Sequence, residues 1–328
     1  MTKSYSFVKA AAFALAAVLA MAGANGASAG DQIAQAKMDL NFGSGNQGGS
    51  QYPVTVAIGQ VLEKLPQIGR VSLQPGGSVG NIVRVQTGKS DIAISMSTSL
   101  RDGRMGHKPF KSKTGDVLNL FTLHAFHVVL IVPEESNIKA VKDIAGRKIN
   151  VAPKGFSILE VFGQLSDMVG IKGKTTIGHL RVGEAVEALK DGHYEGLFYA
   201  ASDRMAPFMN LAQTRKIRLV QIDRSALEAF TKKDPSFYIA QWPKNRSIYK
   251  NLSNSIETLA YPNVVVGSKR LDDKVAYAIV KAVAENFDAV RVGDTSLNDF
   301  DPKDMARDVG SPFHPGAAKY YRERGWMK

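Results

Sequence analysis

From residue 38 onward, apolar positions switch between two spacings. Short runs at 38–42, 70–74, 91–96, 128–132, 149–152, 197–200 and 217–222 have the length and apolar content of strands. Between them the spacing turns helical. Residues 53–65 put Val54, Ala57, Ile58, Val61, Leu62 and Leu65 on one stripe. Ser78 is placed to cap a short helix that stops at Gly88. Ile158, Phe162, Leu165 and Val169 mark a helix with Gly170 just past its end, and Val182, Ala185, Val186 and Leu189 mark another closed by Gly192. After about residue 225 the pattern weakens: 234–255 reads as irregular covering structure, 258–267 as a strand broken by Pro262, and 272–290 as the longest helix. This alternation predicts an α/β protein with parallel sheets covered by helices on both faces.

The strand ends carry the candidate chemistry. The first strand runs into a glycine- and hydroxyl-rich loop at 43–53, which contains Ser44, Asn46, Gln47, Ser50 and Tyr52. The strand at 70–74 ends in a second such loop at 75–81, with Ser78 and Asn81, and a third lies at 152–157. Loops of this make point backbone N–H groups at something small and anionic, and open α/β sheets bind ligands at the carboxyl ends of their strands. One group of loops comes from the N-terminal half and one from the middle, which suggests a cleft between two domains. Tyr199 and Asp203 follow the strand at 197–200 on the same side, and Lys154 and Arg204 are loop cations able to pair a carboxylate.

Composition narrows the classes. Lys3 and Lys9 precede an apolar stretch at 10–21 and the small-residue run Ala27-Ser28-Ala29, the pattern of a secretory leader at 1–29. Gly23, Asn25 and Gly26 interrupt the stretch before the roughly 20 apolar residues that a span requires. The count of 0 cysteines removes disulfides, thiol catalysis and thiolate metal sites. The formal charge is +12. Its only clusters lie at 101–113 and 139–148, and no aromatic-interleaved basic stripe appears, so nucleic acid is set aside for a surface that draws in small anions or rests near an acidic membrane.

Gly43-x-Gly45-x-x-Gly48 fits the dinucleotide fingerprint, but the second strand ends at Gln74-Pro75, where a ribose-binding acid is required. Gly88-Lys89-Ser90 lacks the upstream P-loop glycine, since Val83 stands there, and no H-E-x-x-H run occurs. His124 and His127 are expected as satisfied core or cleft histidines. No cofactor and no metal is implied.

With these residues in view, the chain resembles the TAXI family of exported solute receptors, which serve tripartite ATP-independent (TRAP) transporters. The first loop is similar to that family's G-T-G-G-T-G-G-T-Y-Y-P run, with Ser44, Gly45, Gly48, Gly49, Ser50, Tyr52 and Pro53 in step. Gly76, Gly77, Ser78 and Asn81 match its T-G-G-S-x-x-N segment, and His314-Pro315-Gly316-Ala317 with Tyr320-Tyr321 its C-terminal H-P-G-A…Y-Y. Leu189-Lys190-Asp191-Gly192, with Phe198-Tyr199, is similar to a further motif. Asn46, Gln47 and Gln51 depart from the family's first loop, and Gly155-Phe156-Ser157-Ile158 stands where the family has G-S-G-T in the third, so the cleft differs in shape and polarity.

The resemblance implies a type II periplasmic-binding fold: two α/β domains, 38–130 plus 256–328 and 131–255, joined by hinge strands at 128–132 and 258–266, with the ligand cleft between them. It further implies a periplasmic, monomeric, non-enzymatic receptor that holds a small organic anion and hands it to a TRAP permease. Ser44, Asn46, Gln47, Ser50, Tyr52, Ser78, Asn81, Ser97, Phe156, Ser157 and Tyr199 would meet the ligand, and Lys154 or Arg204 would offset its charge. A binding protein for an ATP-driven importer, or a secreted enzyme on the same scaffold, are the alternatives.

Overall fold

A computed structural model describes residues 37–45, 47, 50–152 and 158–328. The expected leader at 1–29, and Asn46, Lys154, Phe156 and Ser157, lie outside the described residues. The chain opens with three strand–helix units: β1 (Met38–Ser44), α1 (Gln51–Leu62), β2 (Ile68–Pro75), α2 (Ser78–Gln86), β3 (Ile92–Met96) and α3 (Ser97–Met105). β1 lies between β2 and β3 and is parallel to both, so the carboxyl ends of the three strands share one edge. A 17-residue strand, β4 (Val117–Pro133), leads to β5 (Lys148–Asn150), α4 (Ile158–Met168), β6 (Thr176–Gly178), α5 (Val182–Lys190), β7 (Gly196–Ala201) and α6 (Ala206–Thr214). The rest comprises β8 (Ile217–Leu219), α7 (Arg224–Lys233), β9 (Tyr238–Trp242), β10 (Ile256–Ser268), α8 (Asp273–Glu285), α9 (Phe287–Arg291) and α10 (Pro315–Glu323).

The strands follow the path β2-β1-β3-β10-β4-β7-β5-β6, with β8 attached to β4 and β9 to β10. The expected parallel pairing holds at both ends of this path, in β2-β1-β3 and in β7-β5-β6. The middle is different. β10 is antiparallel to β3, β4 and β9, and β4 is antiparallel to β7 and β8. Both long strands are buried along nearly their whole length, and a strand buried on both faces shows no alternation that would report its direction. Pro262 does not break β10; its missing N–H falls at a register shift between Pro262 and Val264.

Other departures have local causes. Residues 234–255 were expected to be irregular, but they contain β9, an edge strand whose polar Gln241 faces out. The long helix expected at 272–290 divides at Asn286, whose side-chain amide donates to the Ala282 carbonyl (2.9 Å). Ser78 is the first residue of α2 and not its cap; Gly77 holds the cap position.

The apolar interior forms separate clusters. One is drawn from residues 128–261 and contains Val128–Val132, Phe198 and Trp242. A second joins Leu40, Phe42 and Ile58 to Val265, Ile279 and Tyr321, and a third gathers Ile82, Leu100, Phe110 and Val264.

The C-terminal motif at 314–321 has a packing explanation. The Gly316 N–H donates to Nδ1 of His314, which caps α10 (3.3 Å), while Nε2 of His314 meets the Leu271 carbonyl (3.1 Å). Pro315 occupies the first turn, where its missing N–H costs nothing. A methyl group on Gly316 would run into the Asp273 carbonyl and the start of α8. Tyr321 is fully buried and its hydroxyl donates to the Leu120 carbonyl (2.8 Å). Gly316→Ala is therefore expected to lower the unfolding free energy by about 1–3 kcal/mol, measured by urea denaturation. An unchanged midpoint would show that α8 and α10 tolerate the wider spacing.

Candidate functional site

α1, α2 and α3 begin at the shared carboxyl edge of β1, β2 and β3. Their cap positions, Ser50, Gly77 and Met96, make no side-chain capping hydrogen bond, and no acidic residue lies in any of the three first turns. Strand neighbours are about 4.8 Å apart, so three positive helix ends with no capping side chain stand side by side. Helix starts of this kind attract an anion.

Asn81 holds this edge together. It is fully buried, and its amide nitrogen donates to the carbonyls of Ile94 (2.8 Å), Ser44 (3.0 Å) and Gly43 (3.4 Å). The Gly76 N–H also reaches the Ser44 carbonyl (3.1 Å), which fastens the second loop to the first. Gly43 and Gly76 are required here because a Cβ at either would press on the Asn81 side chain. Only Oδ1 of Asn81 has no partner. Ser44 is buried, with its hydroxyl on the Gly45 carbonyl (3.1 Å). Gln47 and Ser50 are exposed, while Tyr52 and Ser78 are half-buried. The first two loops and the end of β3 thus meet at one place.

Ser97 is fully buried and faces another segment. Its hydroxyl donates to the Ser236 carbonyl (2.9 Å), and one turn on, Arg101 pairs with Asp234 (3.1 Å). The Tyr199 hydroxyl donates to the Leu180 carbonyl (2.5 Å) and accepts from the Asn150 amide (2.8 Å), so it braces β5 against β7. Burial pushes this phenol up to about 12. Arg204 pairs with Asp299 (3.3 Å), leaving its buried Nε without a hydrogen bond. Among the described residues, no hydrogen bond or ion pair joins Tyr199 or Arg204 directly to the Asn81 cluster.

Two further polar groups, which the sequence pattern did not reveal, lie on β4 and β10. Gln51 Nε2 donates to Asn263 Oδ1 (2.6 Å), and Asn263 Nδ2 donates to the His124 carbonyl (3.0 Å). His124 Nε2 lies 3.6 Å from Asp294, and His127 Nδ1 lies 3.9 Å from Asp203. Both histidines are buried as expected, yet each Nδ1 lacks a hydrogen bond, so neither is fully satisfied. Burial drives the His127 imidazole down to about 3. It also pushes the Asp203 carboxyl up to about 6, opposed by Lys244 and helped by Asp299. Asn263 carries the one available signal, a lone amide inside an apolar strand run. Two surface pockets, one beside His193, Tyr194 and Glu195 and one beside Glu134, Lys216 and Asn251, include none of these residues.

The NMT1-like family matches residues 42–325, most of the chain. The protein belongs to the NMT1-like family. Among solved structures, this NMT1-like chain is similar to a TctC solute-binding protein from Polaromonas, with 15% identity, 86% of this chain and 98% of that one covered, and a TM-score of 0.55. It is also similar to XAC2383 from Xanthomonas citri, solved with ATP bound, at 10% identity, 88% and 99% coverage, and a TM-score of 0.51. These likenesses establish the fold, that of the type II periplasmic binding proteins.

The Asp203 carboxyl sets a pH dependence. Its folded value, about 6, lies above the ordinary 3.8, so the folded state holds a proton that the unfolded chain has already lost. This contribution to stability is complete below about pH 4, falls as pH rises to about 6, and is flat above. Asp203→Asn should remove it. The stability of the variant relative to the parent is expected to rise over that window by on the order of 2–3 kcal/mol, read from denaturant titrations at a series of pH values. A constant difference would show that Asp203 ionises normally.

Proposed function

We propose that this protein is an exported solute-binding receptor of the TAXI type, which captures a small organic anion and delivers it to a TRAP permease. The observation that carries the reading is the row of three acid-free helix starts, α1, α2 and α3, on the edge fastened by Asn81. A carboxylate set there meets backbone N–H groups and the hydroxyls of Ser50 and Ser78. Asn46, Gln47, Tyr52 and Ser97 complete that side, and Asn81 contributes its free Oδ1 or acts by holding the loops. Tyr199, Lys154, Phe156, Ser157 and Arg204 belong to the facing side, with a cation there balancing the ligand charge.

In this reading the bodies 38–130 plus 256–328 and 131–255 hinge on β4 and β10 and close over the solute in the periplasm. Closure removes water and strengthens each polar contact. No bond is made or broken, so saturation without product separates the receptor from an enzyme. The motif at 43–53 favours a TRAP partner over an ATP-driven importer. A neighbouring gene for a large multi-span permease without an ATPase gene supports that choice, and an adjacent ATPase gene contradicts it.

A thermal-shift screen of carboxylates and amino acids tests the reading, since a ligand at 100 times its dissociation constant adds about 2.7 kcal/mol. Gly80 lies in the first turn of α2 with open space around it. Gly80→Glu places a carboxylate at that helix start. It is expected to raise the melting temperature of the free protein through the helix dipole and to weaken anion binding at least tenfold, while Gly80→Ala leaves binding near the parent value. Equal affinity in both variants would remove α2 from the ligand site.

A further inference from the structure

The basic run at 101–113 is not used by the ligand site. α3 starts at the ligand edge, and its nine residues put the far end about 13 Å away. Residues 103–115 contain Arg104, Lys108, Lys111 and Lys113 and no acid. Asp102, just before them, is occupied by Arg101 (2.9 Å) and His107 (3.4 Å). Lys108, Lys111 and Lys113 are exposed, and none has a carboxylate within ion-pair distance among the described residues. Next to them Lys269 and Arg270 share a single acid, Asp116 (3.3 and 3.2 Å).

The run is a fixed platform. Gly106, at φ 73°, ends α3, and the loop folds back through His107 N–H to the Asp102 carbonyl (2.9 Å) and Thr114 N–H to the Gly103 carbonyl (2.8 Å). Phe110 anchors it, buried with Ile82, Leu100 and Val117. The only large apolar side chain left exposed on it is Met105.

We propose that residues 104–113, with Lys269 and Arg270, form a face that rests on anionic phospholipid headgroups. The composition favours lipid over an acidic protein. Protein interfaces are depleted in lysine and centred on buried aromatic or arginine anchors; this face has four hydrated ammonium groups on flexible stems, and its two arginines are spent within the chain, Arg104 on the Val117 carbonyl (3.2 Å) and Arg270 on the Val85 and Gln86 carbonyls and Asp116. Mobile anionic headgroups need no fixed bidentate geometry, and each added cation strengthens the attraction.

The test is sedimentation of the purified, exported protein with vesicles of equal parts phosphatidylglycerol and phosphatidylcholine, against phosphatidylcholine alone. Binding to the mixed vesicles only, lost at high salt, is expected. Lys108→Glu with Lys111→Glu and Lys113→Glu should weaken partitioning by tenfold or more. The same charge change at Lys232, Lys233 and Lys250, also exposed, should leave most of it. Lys111→Gln with Lys113→Gln gives a milder loss should the triple variant melt early. Equal loss in both triple variants would reduce the effect to net charge and overturn the assignment. So would absent vesicle binding, including the case in which the loop variant alone impairs solute uptake, which would indicate an acidic protein partner.

Discussion

β4 and β10 run side by side from Val117 opposite Ser268 to His127 opposite Ala260, and each then continues into neighbours of its own. Beyond His127, β4 takes β7 and β8 as partners; before Ala260, β10 pairs with β9. Thr258 fixes the crossing through its hydroxyl on the Val128 carbonyl. The two strands therefore supply apolar side chains to every cluster: Leu120, Phe121 and Val265 to one, Val117 and Val264 to another, Val128–Val132 and Leu259 to the largest. Buried backbone groups must be paired; the ladder pairs one edge of each strand, and β3 and β9 on β10 and β7 and β8 on β4 take up others. The remaining elements hang on this ladder.

The same ladder explains why polar residues gather near it. Where partners change, side chains from different segments meet at angles that apolar packing does not fill. Gln51, Asn263, His124 and Asp294 occupy one such junction, and His127 and Asp203 another. Ser97 and Arg101 add contacts from α3 to the segment at 234–236. A charge confined there is expensive, which is why the histidines and Asp203 shift toward neutrality.

The first two strand–helix units and the strand β3 were legible because each has its own local period, whereas α3, with few apolar positions, was not read. The loops at 43–53 and 75–81 were visible as glycine- and hydroxyl-rich turns, and they do meet. What local spacing could not show was that Asn81 spends its amide on three carbonyls of the framework. That role depends on β1 and β3 being neighbours. The direction of β4 and β10 was hidden because strands buried on both faces do not alternate, and β9 because a polar edge strand resembles a loop. Gln51 and Asn263 are 212 positions apart, beyond any periodic signal. The C-terminal motif was easy to see, but its explanation is packing: a histidine cap, a close helix crossing and a buried tyrosine.

Leu40 and Phe42 share a cluster with Ala317, Tyr320 and Tyr321. A ribosome releases the first pair long before it makes the last three, so β1 cannot complete its surroundings during most of synthesis. The cluster at 128–261 has no such delay, yet its strands β4 and β10 gain their remaining neighbours only when the early segment docks. Long-range closure of this kind slows folding. The cluster that β1 joins therefore cannot close before α10 has been made.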